Sequence, residues 1–219
     1  MHPNISEALR YLGVRNDPDG SLHRDRSAHA SRITPRFPPK WVWRIYPVTR
    51  TAQGAELTGS GVILPGRTAE KMLATCPQAA LLVCTLGAAF DAYLRAEQLR
   101  DMRTAVMLDA LGSAWVEAGC DAAQEEIRAR FPTQYQTDRF SPGYGDLPLS
   151  VQPSLLNATD AARRVGVHDT PAHLMSPQKS VTAVIGLSDV PQMARIRGCA
   201  YCALNKTCTL RKAGTPCGI

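Results

Sequence analysis

Residues 41–65 read WVWRIYPVTRTAQGAELTGSGVILP. Here WVWRIYPV at 41–48 and AELTGSGVILP at 55–65 alternate or cluster β-branched and aromatic residues between turn signals, the habit of strands rather than helices. Downstream, RTAEKMLATCP after Gly66 predicts a helix stopped by Pro77, AALLVCTLG a buried strand, and AAFDAYLRAEQLRD another helix. From Thr104 to Arg130, the residues Leu108, Leu111, Trp115, Gly119, Ala123 and Ile127 recur every three or four positions, which predicts a long helix with that face in the core. AARRVGV suggests a short helix end, and SVTAVIGLS at 180–188 a buried strand. Strands and helices mix without the regular alternation of a doubly wound fold. The expected class is therefore α+β: a central, twisted, largely antiparallel sheet flanked by helices, with a small Cys-rich appendage at the C-terminus.

Outward from this body the chain changes character. ISEALRYLG near the start has a helical period, with Ser6 and Glu7 suited to the first turn and Gly13 to the end. Residues 15–40 are rich in turn formers, Arg and His, and read as an irregular arm. The expected organisation is an N-terminal helix and arm at 1–40, a main domain at 41–190 and a cysteine-rich tail at 191–219.

A chain of 219 residues with 44% hydrophobic and 20% charged residues can bury a substantial core. Its longest apolar run, AALLVCTLGAAF at 79–90, is far shorter than the roughly 20 apolar residues of a membrane span. No charged segment leads into an apolar one at the N-terminus, so a cytoplasmic location is expected. The net charge of +6 gathers at the ends: residues 1–50 hold nine Lys or Arg against four acids, and five bases but no acid follow Asp189. Such ends are either solvated surface or a face for an acidic protein or nucleic acid.

Seven cysteines without an export signal point to thiols rather than a disulfide framework. Cys76, Cys84 and Cys120 stand singly among apolar neighbours, as small core residues do. Cys199, Cys202, Cys208 and Cys217 instead crowd the tail with the spacing Cys-x2-Cys-x5-Cys-x8-Cys. Four thiolates suit tetrahedral zinc or a four-iron (4Fe-4S) cluster, and reduced, unligated thiols are the alternative. GVILPGRT at 61–68 has the glycine spacing of a phosphate-cradling loop. Arg67 occupies the place of the required lysine, so it reads as a coincidence. His168 and His173 bracket DTPA without a supporting carboxylate pair and read as surface histidines.

RFSPGYGDLPL at 139–149 puts a guanidinium, a tight Pro-Gly turn with exposed backbone amides and a tyrosine hydroxyl within six residues. That set suits gripping a carboxylate and neighbouring polar groups of a small ligand. A purely structural turn with Tyr144 packed inward fits the spacing equally.

Arg139, Pro142, Gly143 and Tyr144 resemble the Arg-x-x-Pro-Gly-Tyr motif of the activation domain of cobalamin-dependent methionine synthase. LDALGSAWVEAGCDAAQEEI at 108–127 is similar to that family's long helix, and LMSPQKSVTAVIGL at 174–187 to its late strand region. The resemblance covers roughly residues 41–190; the opening helix and cysteine tail are closer to a freestanding variety. It implies S-adenosylmethionine binding, with Arg139 holding the methionyl carboxylate, Tyr144 ordering the site on the Pro142–Gly143 turn, and Glu117 at the ligand's positive end. Glu117 shares a stripe with the small residues Ala110, Ser113 and Ala114, which would let a ligand approach. GDLPLSVQ replaces the Cys-Pro-Asp-His stretch of the large enzymes, the N-terminal acidic residue of the family has no aligned position, and the Asp-x-His-x-x-Gly motif of cobalamin carriers is absent.

The function so implied is reductive reactivation of a corrinoid protein: one-electron reduction, then methyl transfer from S-adenosylmethionine to cob(I)alamin. The chain would be a component of an S-adenosylmethionine:cobalamin methyltransferase. Its partner would be a corrinoid-binding protein, or a methionine synthase lacking its own activation domain, that carries the cobalamin. An acidic electron donor such as flavodoxin or ferredoxin would complete the system, and a different corrinoid protein could equally be served. The competing class is a binding module whose basic, zinc-bound tail engages nucleic acid or an acidic protein.

Overall fold

The computed structural model describes residues 1–13, 21–192, 206–212 and 214. The Trp-, Val- and Ile-rich stretch forms β1 (Lys40–Thr51), which turns back antiparallel into β2 (Gly54–Leu57) and again into β3 (Val62–Leu64). Register sets Val48 opposite Leu57 and Leu57 opposite Val62. Along β3 the alternation is strict: Val62 and Leu64 are fully buried while Ile63 is exposed. With β4 (Gln78–Thr85), β5 (Tyr135–Gln136) and β8 (Ser180–Ser188), these strands make a six-stranded sheet in the order β3-β2-β1-β4-β8-β5. The inner strands β4 and β8 are buried along almost their whole length, which is why both read as unbroken apolar runs.

Around the sheet run α1 (Ile5–Tyr11), α2 (Ser21–Ile33), α3 (Arg67–Met72), α4 (Ala88–Arg100), α5 (Met102–Arg130), α6 (Gln152–Thr159), α7 (Ala161–Val165) and the short α8 (Thr209–Lys212). A separate two-stranded hairpin joins β6 (His168–Asp169) to β7 (Met175–Ser176). The class is α+β, as expected. One segment departs from the sequence reading: much of the supposedly irregular arm is α2. Its turn formers end at Gly20, and the Arg, Ala and Ser that follow tolerate a helix well. The buried Ala30 and Ile33, three residues apart, form a narrow apolar face on a helix that packs with α1.

The chain divides into two compact units. The first comprises Met1–Val42, Val83–Glu126 and Asp160–Val181; the second, Trp43–Leu82, Ile127–Thr159 and Thr182–Ile219. In the first unit, α5 turns Leu108, Leu111, Trp115 and Ala123 inward as its period requires. The Trp115 indole N–H donates to the Phe37 carbonyl at 2.8 Å. Gly119 lets α5 approach closely, because a Cβ there would lie 2.6 Å from Pro39 Cβ and 2.8 Å from Cys84 Sγ. In the second unit, Leu57, Leu64, Met72, Leu81, Phe140, Leu155 and Val184 meet in one apolar cluster. Each such side chain contributes about 1.5–3 kcal/mol by burial.

Candidate functional site

The motif segment is laid down by β8. Thr137 donates its amide to the Gly186 carbonyl at 3.0 Å, Phe140 and Val184 exchange amide hydrogen bonds at 3.1 and 2.7 Å, and Ser141 Oγ donates to the Thr182 carbonyl at 2.5 Å. Successive side chains of an extended segment point to opposite sides. Phe140 enters the apolar cluster, so Arg139 faces the other way. Even there Arg139 is only 9% exposed, a guanidinium taken out of water and provided with partners.

After Ser141 the chain turns tightly. Pro142 is buried and Gly143 takes φ +92°, a conformation that favours glycine. Gly143 N–H donates to the Leu147 carbonyl at 2.8 Å and Tyr144 N–H to the Ser141 carbonyl at 3.0 Å. These amides serve the turn itself, contrary to the expectation that they stand open. Tyr144 is 55% exposed, which rules out the packed-inward alternative and leaves an aromatic ring and hydroxyl presented on a rigid turn.

Asp146 holds that turn from its far end. Its Oδ2 accepts the Arg67 amide at 2.7 Å and its Oδ1 the Thr68 amide at 2.9 Å, so it caps α3 from 79 and 78 residues away. Gly66, the residue at the helix start, offers no side chain for this purpose. The Thr68 hydroxyl first, then the Thr68 amide, lower the Asp146 pKa to about 2; burial opposes them, and the Arg67 amide adds a smaller lowering. GVILPGRT thus presents its amides to a carboxylate of the same chain. Neither the cap nor its charge has a local signal in the sequence.

Glu117 lies in the first unit, half-buried on α5 and engaged in interactions of its own. Burial foremost, then the charge of Glu7 and a hydrogen bond to it, then the charge of Glu117, push the Tyr11 phenol up to about 12, with Arg10 opposing. Glu117 therefore sits close enough to α1 to act on it. The expected small-residue stripe is not open: Ala110 and Ala114 are buried at 3% and 2% exposure, and the partly exposed residues of that face are Ser113 and Glu117. Lys179 Nζ lies 2.9 Å from both Asp109 Oδ1 and Ser113 Oγ, a contact that sequence reading did not anticipate.

Cys76, Cys84 and Cys120 are buried, as their apolar surroundings suggest, and burial pushes the Cys76 thiol up to about 11. Cys199, Cys202 and Cys217 lie outside the described residues; Cys208 is partly exposed. Among the described residues no three His, Cys, Asp or Glu side chains gather as metal ligands. Nor is any helix among them long and apolar enough to cross a membrane.

No protein-family model matches the chain, and no curated protein matches it by sequence. Among solved structures, the crystal structure of the MetH reactivation domain bound to AdoHcy superimposes with a TM-score of 0.64. The fold is that of the MetH reactivation domain. The likeness covers 92% of this chain and 76% of the reactivation-domain chain at 15% identity, so it extends beyond the 41–190 block on which the sequence resemblance rests.

Proposed function

We propose that this chain binds S-adenosylmethionine and supports reductive reactivation of a corrinoid protein in trans, as a methionine synthase-type component. The observation that carries this reading is the Arg139–Tyr144 turn: a buried guanidinium and an exposed tyrosine on a rigid loop, within a fold whose likeness to the reactivation domain covers 92% of the chain. That neighbour binds AdoHcy. Arg139 is assigned to the ligand carboxylate, which its planar fork can meet with two hydrogen bonds. Tyr144, with Pro142 and Gly143 fixing its direction, orders the ligand, and Glu117 offsets its positive end. A sulfonium methyl is already a good electrophile, so these residues act by orientation and proximity, worth up to about 7–11 kcal/mol in favourable cases.

The corrinoid, carried by the partner protein, would supply the nucleophile that accepts the methyl group. The 41–190 block is taken as the ligand-binding body and the tail as an accessory, with Cys199, Cys202, Cys208 and Cys217 as its metal ligands. An acidic flavodoxin or ferredoxin is the proposed electron donor, and the cytoplasm the proposed location. Calorimetric titration with S-adenosylmethionine tests the core of the reading. The wild type is expected to bind, and Arg139→Ala to lose on the order of 1.5–3 kcal/mol, the range for a hydrogen bond to a charged group. Arg139→Lys should recover only part of the loss, since a lysine keeps the charge without the fork. Equal affinity in all three proteins would overturn the assignment.

A further inference from the structure

Just before β8, residues 177–180 are pinned on several sides. Gln178 donates its amide to Asp91 Oδ2 at 2.7 Å, the Lys179 carbonyl accepts the Leu86 amide at 2.9 Å, and Ser180 Oγ lies 2.8 Å from Thr85 Oγ1 and 2.7 Å from the Pro177 carbonyl. Backbone fixed in this way launches the Lys179 side chain in one direction. It ends on α5, 2.9 Å from Asp109 Oδ1 and 2.9 Å from Ser113 Oγ, with 13% of the side chain exposed. Ser113 in turn donates its own hydroxyl to the Asp109 carbonyl at 3.2 Å, so that hydroxyl has no proton to spare.

An ammonium has three N–H donors. Lys179 spends two, and among the described residues it has no further partner. A mostly buried charge with one donor unused is costly unless something completes its shell. Its partner Asp109 is 53% exposed. Ser113 and Glu117 follow Asp109 at four-residue steps, so the three share a helix face with neighbouring Cβ atoms about 5–6 Å apart. An oxygen-bearing ligand that reaches Glu117 would pass within range of the unspent Lys179 donor.

We propose that Lys179 is a further ligand-contacting residue, whose third N–H donates to an oxygen of the adenosyl ligand lying along the Ser113–Glu117 stretch of α5. The inference rests on the reading of Glu117 as a ligand residue given above. Its acceptor is a ribose hydroxyl or the amino-acid carboxylate, both oxygen acceptors for the same donor. Asp109 serves as the anchor that aims the ammonium.

The test is calorimetry with AdoHcy, S-adenosylmethionine and adenosine on the full chain. Lys179→Met is expected to weaken AdoHcy by roughly ten- to a hundredfold. Asp109→Asn is expected to cost less than Lys179→Met, because the donor remains and the amide oxygen can still accept from the ammonium. An adenosine loss of the same factor as AdoHcy assigns the ribose; a loss confined to AdoHcy and S-adenosylmethionine assigns the carboxylate. Unchanged AdoHcy affinity in Lys179→Met, or an equal loss in Asp109→Asn, overturns the proposal by reducing Lys179 to a brace for α5. If Lys179→Met does not fold, Lys179→Gln, which keeps a neutral donor for Ser113, carries the same comparison. A wild type that binds none of the three ligands would instead overturn the proposed function itself.

Discussion

Asp146 shows how one carboxylate can tie a turn to a helix far away in sequence. It follows the Arg139–Tyr144 turn directly and meets the first two amides of α3. Removing a helix cap costs about 0.5–2 kcal/mol, so Asp146→Ala should lower the unfolding free energy from denaturant titration by that amount, whereas Asp146→Asn, which keeps one acceptor, should lose less. The folded pKa of about 2 lies below the ordinary 3.8. The contribution is therefore fully present above 3.8 and is lost as pH falls from 3.8 through 2. Asp146→Asn should flatten the acid limb of a stability–pH curve in that window. A curve that coincides with the wild type would mean the cap is not formed in solution. The turn at Pro142 and Gly143 was legible because two turn formers stand side by side; the Asp146 cap was not, because its partners stand 79 and 78 positions away. Lys179 escaped notice for the same reason, its partner Ser113 being 66 residues distant.

At the level of elements, legibility followed the strength of the apolar pattern. β4, β8 and α5 carry long runs or a sustained period, and each appears where the sequence placed it. The described apolar residues that α2 buries are Ala30 and Ile33, beside a buried Arg26 and among Arg- and His-rich neighbours, so its period is faint. α6 opens on Gln152, whose buried amide exchanges hydrogen bonds with Thr182 Oγ1 at 2.9 and 3.1 Å; a polar residue at a core position conceals the helix start. Close packing of α5 gives a direct prediction. Gly119→Ala gains about 1 kcal/mol of helix propensity, but its Cβ would meet Pro39 and Cys84 at 2.6 and 2.8 Å, an overpacking that typically costs about 1–3 kcal/mol. The clash should win, and a chemical denaturation midpoint that rises would show that α5 can shift to admit the methyl group.

For the whole molecule, the sheet order β3-β2-β1-β4-β8-β5 joins strands far apart in sequence, and only its class could be expected in advance. The α+β reading came from consecutive strand signals in residues 41–65 followed by mixed elements. The neighbour order came from nothing local, because β8 pairs beside β4 only after intervening helices and three short strands. The tail adds a prediction at this scale. If Cys199, Cys202, Cys208 and Cys217 hold a 4Fe-4S cluster, anaerobically purified protein should be brown, contain iron and sulfide, and lose its colour on Cys202→Ser. Stoichiometric zinc would give the same thiolates a structural role, and protein with neither metal would remove the metal assignment altogether. S-adenosylmethionine titration of the same preparations should be indifferent to the outcome.

The Asp146 contact also turns two amides into reporters. First-turn amides of a helix have no partner within it and ordinarily exchange with solvent deuterium readily. Those of Arg67 and Thr68 are covered only while the distant turn is closed over them. Their exchange rate therefore follows the opening of the Arg139–Tyr144 loop, and a ligand that tightens this loop would slow exchange at two residues it never touches.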